Sequence, residues 1–194
     1  MSYHIYTTEG IILKRQVFGE ADILLHILTK EFGLIMASAR SARLQASKLK
    51  GSLQEYQHIS VSCVKGKNGW RITNVGDLGS YFFNYPEAHR RILAQISDLL
   101  MKMISGELTH PEVFETVDSG FEFLQNLPEK NLADFEALLV LRILYELGYV
   151  AKSEEIHIFI KNISDWRQEL VELAGEKKTV IVGLINKAIK ESHL

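Results

Sequence analysis

With 194 residues, 46% of them hydrophobic, and a formal net charge of -2, the chain has enough apolar side chains for one substantial core or two small ones. Its 24% of charged residues is the ordinary share of a folded protein, which excludes a wholly disordered chain. Cys63 is the single cysteine, which excludes a disulfide framework and a multi-cysteine zinc site within this sequence and favours a reducing setting.

The opening residues, MSYHIYTTEGIILKR, lack the cationic start and apolar run of a signal peptide. The longest apolar run, Ala137–Leu141, ends at Arg142, far short of a membrane span. The expectation is a soluble, cytoplasmic protein with no membrane partner.

Residues 8–75 read as short strands. Gly10–Arg15, Ala21–Thr29, Leu34–Ala39, His58–Lys65 and Trp70–Val75 are rich in Ile, Leu and Val, and Phe18-Gly19, Lys30–Gly33 and Gly66–Gly69 supply turns. In the fourth run Ile59, Val61 and Cys63 face one way while His58, Ser60 and Ser62 face the other. In the fifth, Trp70 and Ile72 oppose Arg71 and Thr73. Ala21–Thr29 is apolar on both faces apart from His26, as suits a central strand. Five short antiparallel strands leave exposed edges unless the sheet closes, and a five-stranded barrel of the OB type closes it. Lys48–Tyr56, between the third and fourth strands, has room for a helical turn.

That connection has an unusual charge pattern. From Phe32 to Gln54 there is no Asp or Glu, yet Arg40, Arg43, Lys48 and Lys50 are present among small polar residues. Such a window reads as a mobile basic loop and not as a packed core element. It can hold a local positive potential on a net-acidic molecule. The halves also differ: residues 1–80 carry ten Lys/Arg against six Asp/Glu, and residues 81–194 carry twelve against eighteen. A basic half beside an acidic one points to a polyanion partner for the first.

After Gly79 the period becomes helical. Ile92, Ile96, Leu99, Leu100 and Met103 follow a start at Pro86-Glu87, and a second helix opens at Pro111-Glu112 and stops at Pro128. A third is predicted from Asn131, as N-cap, to Gly148; apolar nearly all round, it is the expected centre of a bundle. Ser153 and Ser164 are predicted to cap two shorter helices, and Lys177–Ser192 forms an amphipathic last one. The predicted architecture is α+β by content: an OB-type barrel over residues 1–79, then an all-α helical bundle over 80–194.

The string Thr8-Glu9-Gly10-Ile11-Ile12-Leu13-Lys14-Arg15, followed by Phe18-Gly19-Glu20-Ala21-Asp22, resembles the start of the RecO family of recombinational DNA-repair proteins. Leu28-Thr29-Lys30-Glu31-Phe32-Gly33, Ala39-Arg40-Ser41-Ala42-Arg43 and Ser47-Lys48-Leu49-Lys50-Gly51-Ser52-Leu53-Gln54 extend the resemblance in the family's order, and Leu141–Tyr149 is similar to its central helix. The resemblance implies an N-terminal OB barrel, a helical domain and a non-catalytic role: binding single- and double-stranded DNA, annealing complementary strands, and loading recombinase with RecR on gaps coated by single-stranded DNA-binding protein. It also implies a cytoplasmic, nucleoid-associated location. Many members carry a four-cysteine zinc module after the segment matching Leu147-Gly148-Tyr149. Here Val150-Ala151-Lys152-Ser153 follows without a cysteine, so a short, zinc-free member is expected, needing no cofactor.

Arg40 and Arg43 offer forks for phosphates, and Lys48 and Lys50 point charges. Lys14, Arg15, Lys65, Lys67 and Arg71 are supporting candidates. Trp70 shares a face with Ile72, which favours core packing over base stacking; Phe18 and Tyr56 remain open as stacking residues. No two of the seven histidines have the i, i+4 spacing of helical metal ligands, so no metal site is expected. Glu20 and Asp22 lack a nucleophile beside them and suit turn capping or pairing with a cation. Cys63 reads as a small core residue, and Arg142 as the partner of Glu146 in a structural ion pair. No catalytic constellation is present. The same composition also fits a protein-interaction adaptor of the recombination machinery with little DNA binding of its own.

Overall fold

The computed structural model describes residues 4–45, 47, 49, 51–67, 69–81, 83 and 85–192. Two compact units emerge: Met1–Asn84 with Ile104–Thr109, and Tyr85–Met103 with His110–Leu194.

In the first unit, five strands close into a barrel in the order β1-β2-β3-β5-β4, where β1 is Ile5–Phe18, β2 Asp22–Thr29, β3 Gly33–Ala39, β4 Gln57–Gly66 and β5 Gly69–Ser80. All pairings are antiparallel except β3 with β5, so the predicted OB-type barrel is present. β1 is far longer than its apolar run because it closes the barrel: Ile5–Ile11 pair with β4 and Gly10–Phe18 with β2. At the crossover, Gly10 opposes both Thr29 and Ile59, and a Cβ there would lie 2.7 Å from Ile27 Cγ2. A register shift between Ile12 and Lys14 marks the bend.

Alternate residues fill the interior, among them Ile12, Ile23, Leu25, Ile27, Ile35, Val61 and Ile72. Trp70 is 5% exposed, and its ring meets Tyr6 and Phe32 at 5.4 Å each. Its core role is the expected one. Cys63 is also interior, and burial pushes its thiol up to about 12. Because the thiolate is the reactive form, Cys63 should resist a thiol reagent at pH 8 in the native protein and react promptly once denaturant is added. Rapid native labelling would contradict this.

The basic connection departs from the mobile loop expected of it. Ala42 and Leu53 are fully buried in the barrel core, and Leu49 packs against them. Part of the connection, Ala42 and Leu53 above all, therefore belongs to the barrel core. Lys48 and Lys50 lie outside the described residues, as do parts of the helical turn anticipated over Lys48–Tyr56. The described part of that stretch forms single turns, such as Ser52 N to Leu49 O at 3.2 Å, and Tyr56 takes φ +61°.

In the second unit, α1 is Glu87–Met103, α2 Pro111–Leu124, α3 Leu132–Glu146, α4 His157–Ile160, α5 Gln168–Glu176 and α6 Lys178–Glu191. α3 is its centre and contacts the other five helices. Two capping expectations fail. Asn131 ends a 3₁₀ turn in αR geometry without a side-chain cap, and its Oδ1 is buried without a hydrogen-bond partner. The short helices start after Ile156 and Arg167, three residues beyond Ser153 and Ser164. Irregular turns absorb those residues.

Arg142 is wholly buried but does not take Glu146. Its Nε donates to Phe159 O at 2.7 Å, Nη1 to Ile163 O at 2.9 Å and Nη2 to Asp165 O at 3.0 Å. The guanidinium lies 4.1 Å over the Trp166 ring. One planar fork thus satisfies three carbonyls, one in α4 and two in the irregular stretch that follows it. Burial pulls its pKa down to about 10, which leaves it charged at neutral pH.

Candidate nucleic-acid interface

Strand register decides which cations share a surface. Cα partners run Lys14–His26–Met36, then Gln16–Leu24–Ser38–Arg71, then Phe18–Asp22. Side chains of paired residues lie on the same side of a sheet, and along β3 alternation brings Met36 and Ser38 to one face, with Arg40 in the turn just after the strand. The opposite set, with Leu25, Ala37, Trp70 and Ile23, fills the core. The outer face of β1-β2-β3-β5 therefore brings Lys14 and Arg71 to one side, with Met36 54% and Phe18 61% exposed, and exposed Arg40 follows at the end of β3. Burial and the nearby Lys14 ammonium both hold the His26 imidazole below its ordinary pKa.

The turn after β3 is fastened to the β1–β2 turn. Ser41 N donates to Asp22 Oδ1 at 2.7 Å, Arg43 N to Ala21 O at 2.9 Å, and Arg43 Nη1 to Glu20 O at 2.8 Å. Asp22 thus holds a turn, one of the roles expected of it. Ser41 adopts φ +53°, and that backbone N–H bond sustains the conformation. Arg40 and Arg43 are both exposed and sit beside Phe18 at this end of the face. Arg43 has further N–H donors besides Nη1.

The other predicted cations are dispersed. Arg15 follows Lys14 but takes the other side of the strand. Its backbone N donates to Glu55 Oε1 at 3.0 Å, and the side chain lines a 250 Å³ cavity with Gln54, Glu55 and Phe83. Lys65 is ion-paired with Glu107. Lys67 is exposed in the β4–β5 turn. Acids are placed elsewhere: Glu9 pairs in register with Ser60 of β4, Asp77 with Ile59 of β4, and Glu55 lies with Arg15. Glu20 and Asp22 border the cationic face at the β1–β2 turn. Sequence reasoning missed His26 and Met36 as its members; the lone polar residue on a central strand was the available signal.

Among the described residues no group of three or more His, Cys, Asp or Glu could hold a metal ion. No helix of the described residues is long and apolar enough to cross a membrane.

Residues 1–81, the barrel and its closing strand, match the family model described as recombination protein O N terminal. The chain is also 30% identical over 155 residues to a DNA repair protein RecO of Dehalococcoides mccartyi (strain BAV1), covering 78% of this chain and 60% of that protein. The barrel thus carries the N-terminal region of a RecO protein, and the chain is similar to RecO proteins over most of its length. A second RecO, from Heliobacterium modesticaldum, is 28% identical over 145 residues, covering 75% of this chain and 52% of its own length. With the Thermobifida fusca RecO, identity is 35% over 77 residues, 40% of this chain and 32% of that one. The chain spans about half the length of the curated RecO relatives it matches.

Proposed function

We propose that this chain is a non-catalytic, DNA-binding recombination mediator acting in DNA repair. The supporting observation is the outer barrel face, on which Lys14 and Arg71 share a side with exposed Met36 and Phe18, with exposed Arg40 and Arg43 in the turn that follows β3. Cations bind phosphates, and the exposed aromatic and thioether side chains offer surfaces to unstacked bases. Residues 1–79 form the DNA-binding domain in this reading, and residues 80–194 make protein contacts.

Annealing fits such a surface. Two complementary strands repel one another through their phosphates, and weak, exchangeable cationic contacts lower that repulsion without a catalytic group. By family resemblance the substrates are single- and double-stranded DNA, the partners RecR and single-stranded DNA-binding protein, and the outcome recombinase loading, in the cytoplasm at the nucleoid.

The test is fluorescence anisotropy with single-stranded DNA at two salt concentrations. Changing Arg40, Arg43, Lys48 and Lys50 together to Ala should weaken binding and flatten its salt dependence by roughly 0.7 log units per lost phosphate contact. An unchanged affinity and slope would remove the loop from the interface. A second reading, an adaptor with little DNA binding, is favoured by the internal commitment of two cations, Arg43 to Glu20 O and Lys65 to Glu107. Negligible binding by the unaltered chain would select it.

A further inference from the structure

Residues Ile104–Thr109 group with the barrel although they lie between α1 and α2. They are fastened at three points. Thr109 Oγ1 donates to Glu31 O at 3.1 Å, the Leu108 carbonyl packs onto Gly33, and the Glu107 carboxylate is held by two donors. One is Lys65 Nζ, on Glu107 Oε2; the other is Trp70 Nε1, on Oε1 at 2.9 Å. The same Lys65 ammonium stands 5.2 Å from the centroid of the Trp70 ring.

The Trp70 indole is buried in the barrel, so its N–H has a fixed direction, while Lys65 is half-exposed and brings a full charge. A rigid neutral donor beside a cation is the recognition element for one oxygen pair of a carboxylate or a phosphate. The Glu107 carboxyl is held below its usual range chiefly by the Lys65 hydrogen bond, although burial opposes this.

We propose that Lys65 and Trp70 form a second phosphate site on the barrel, occupied in this structure by the chain's own Glu107, which a nucleic-acid backbone phosphate displaces on binding. This rests on the DNA-binding reading above and adds a competitor to it. The carboxylate stands in for two phosphate oxygens, and its departure removes one of the three fastenings of the 104–109 connector. No covalent step is involved. Glu107 thereby sets a threshold: weakly held polyanions fail to displace it, and a strand already gripped at Arg40 and Arg43 succeeds by proximity.

Glu107→Gln tests the site, because the amide oxygen can still accept from Trp70 Nε1 while the charge opposing a phosphate is lost. The variant should bind single-stranded DNA about two- to fivefold more tightly at low salt, the range expected of one exposed ion pair. Its log–log salt slope should steepen by about 0.7, one added phosphate contact on a single strand. The gain should vanish in Glu107→Gln/Lys65→Ala. In the unaltered chain, the Trp70 indole N–H resonance should move on DNA addition. A gain of the same size without Lys65, or wild-type affinity and slope in Glu107→Gln, would overturn the site even if the Arg40 and Arg43 changes weaken binding. Failure of the DNA-binding reading looks different: no variant, nor the parent, would bind. Matching denaturation midpoints for Glu107→Gln and the parent would exclude a folding effect.

Discussion

Arg142→Ala should destabilise the helical unit by about 3–5 kcal/mol, the cost of removing one partner from a fully buried charged network. The substitution leaves the carbonyls of Phe159, Ile163 and Asp165 without donors and opens a void beside Trp166. Each orphaned buried carbonyl alone costs about 1–3 kcal/mol. Arg142→Met keeps much of the volume and none of the donors, so it should recover little. Arg142→Lys restores the charge but not the planar fork, and should remain well below wild type. Denaturant unfolding followed by Trp166 emission, with Trp70 changed to Phe as background, measures the effect. A loss under 1 kcal/mol for the alanine variant would show that water replaces the guanidinium.

Gly33→Ala should cost the barrel unit about 2–5 kcal/mol. Gly33 has φ +67°, which an L side chain occupies at about 1–2 kcal/mol. A Cβ there would also lie 2.1 Å from Leu108 O and 2.8 Å from its carbonyl carbon. Backbone cannot yield as a flexible side chain does, so strain of about 1–3 kcal/mol adds to the first term unless the connector moves. Limited proteolysis distinguishes the two responses, since a displaced connector should become cleavable within 104–109. A midpoint within experimental error of wild type, with no new cleavage, would sink the prediction.

Much of the barrel was legible in the sequence, for a physical reason. Strands β4 and β5 bury one face and wet the other, so Ile59, Val61 and Cys63 announce their direction locally. Closure followed from the number of strands and the need to hide their edges. Register was not legible. Lys14 and Arg15 are equivalent in composition, and only pairing across the shift near Ile12 places Lys14 beside His26 and Arg15 beside Glu55.

Long-range partners were likewise hidden. Arg142 has an acid one turn away at Glu146, yet its donors go to carbonyls of α4 and the stretch after it. Lys65 meets Glu107 across 42 positions of intervening chain. The Phe32–Gln54 window shows the limits of composition from both sides. Arg40 and Arg43 are exposed, while Ala42 and Leu53 from the same window join the barrel core.

The return of Ile104–Thr109 to the barrel has a consequence for the order of biosynthesis. β5 ends at Ser80, but the residues that accept the Trp70 indole proton and cover Gly33 emerge from the ribosome only after the whole of α1. During that interval the nascent barrel holds a buried-facing donor without its acceptor, and α1 waits for helices not yet made. The two units must therefore mature in overlap, each completing the other's chain before either is finished. A fragment ending at residue 84 would preserve that interrupted state permanently.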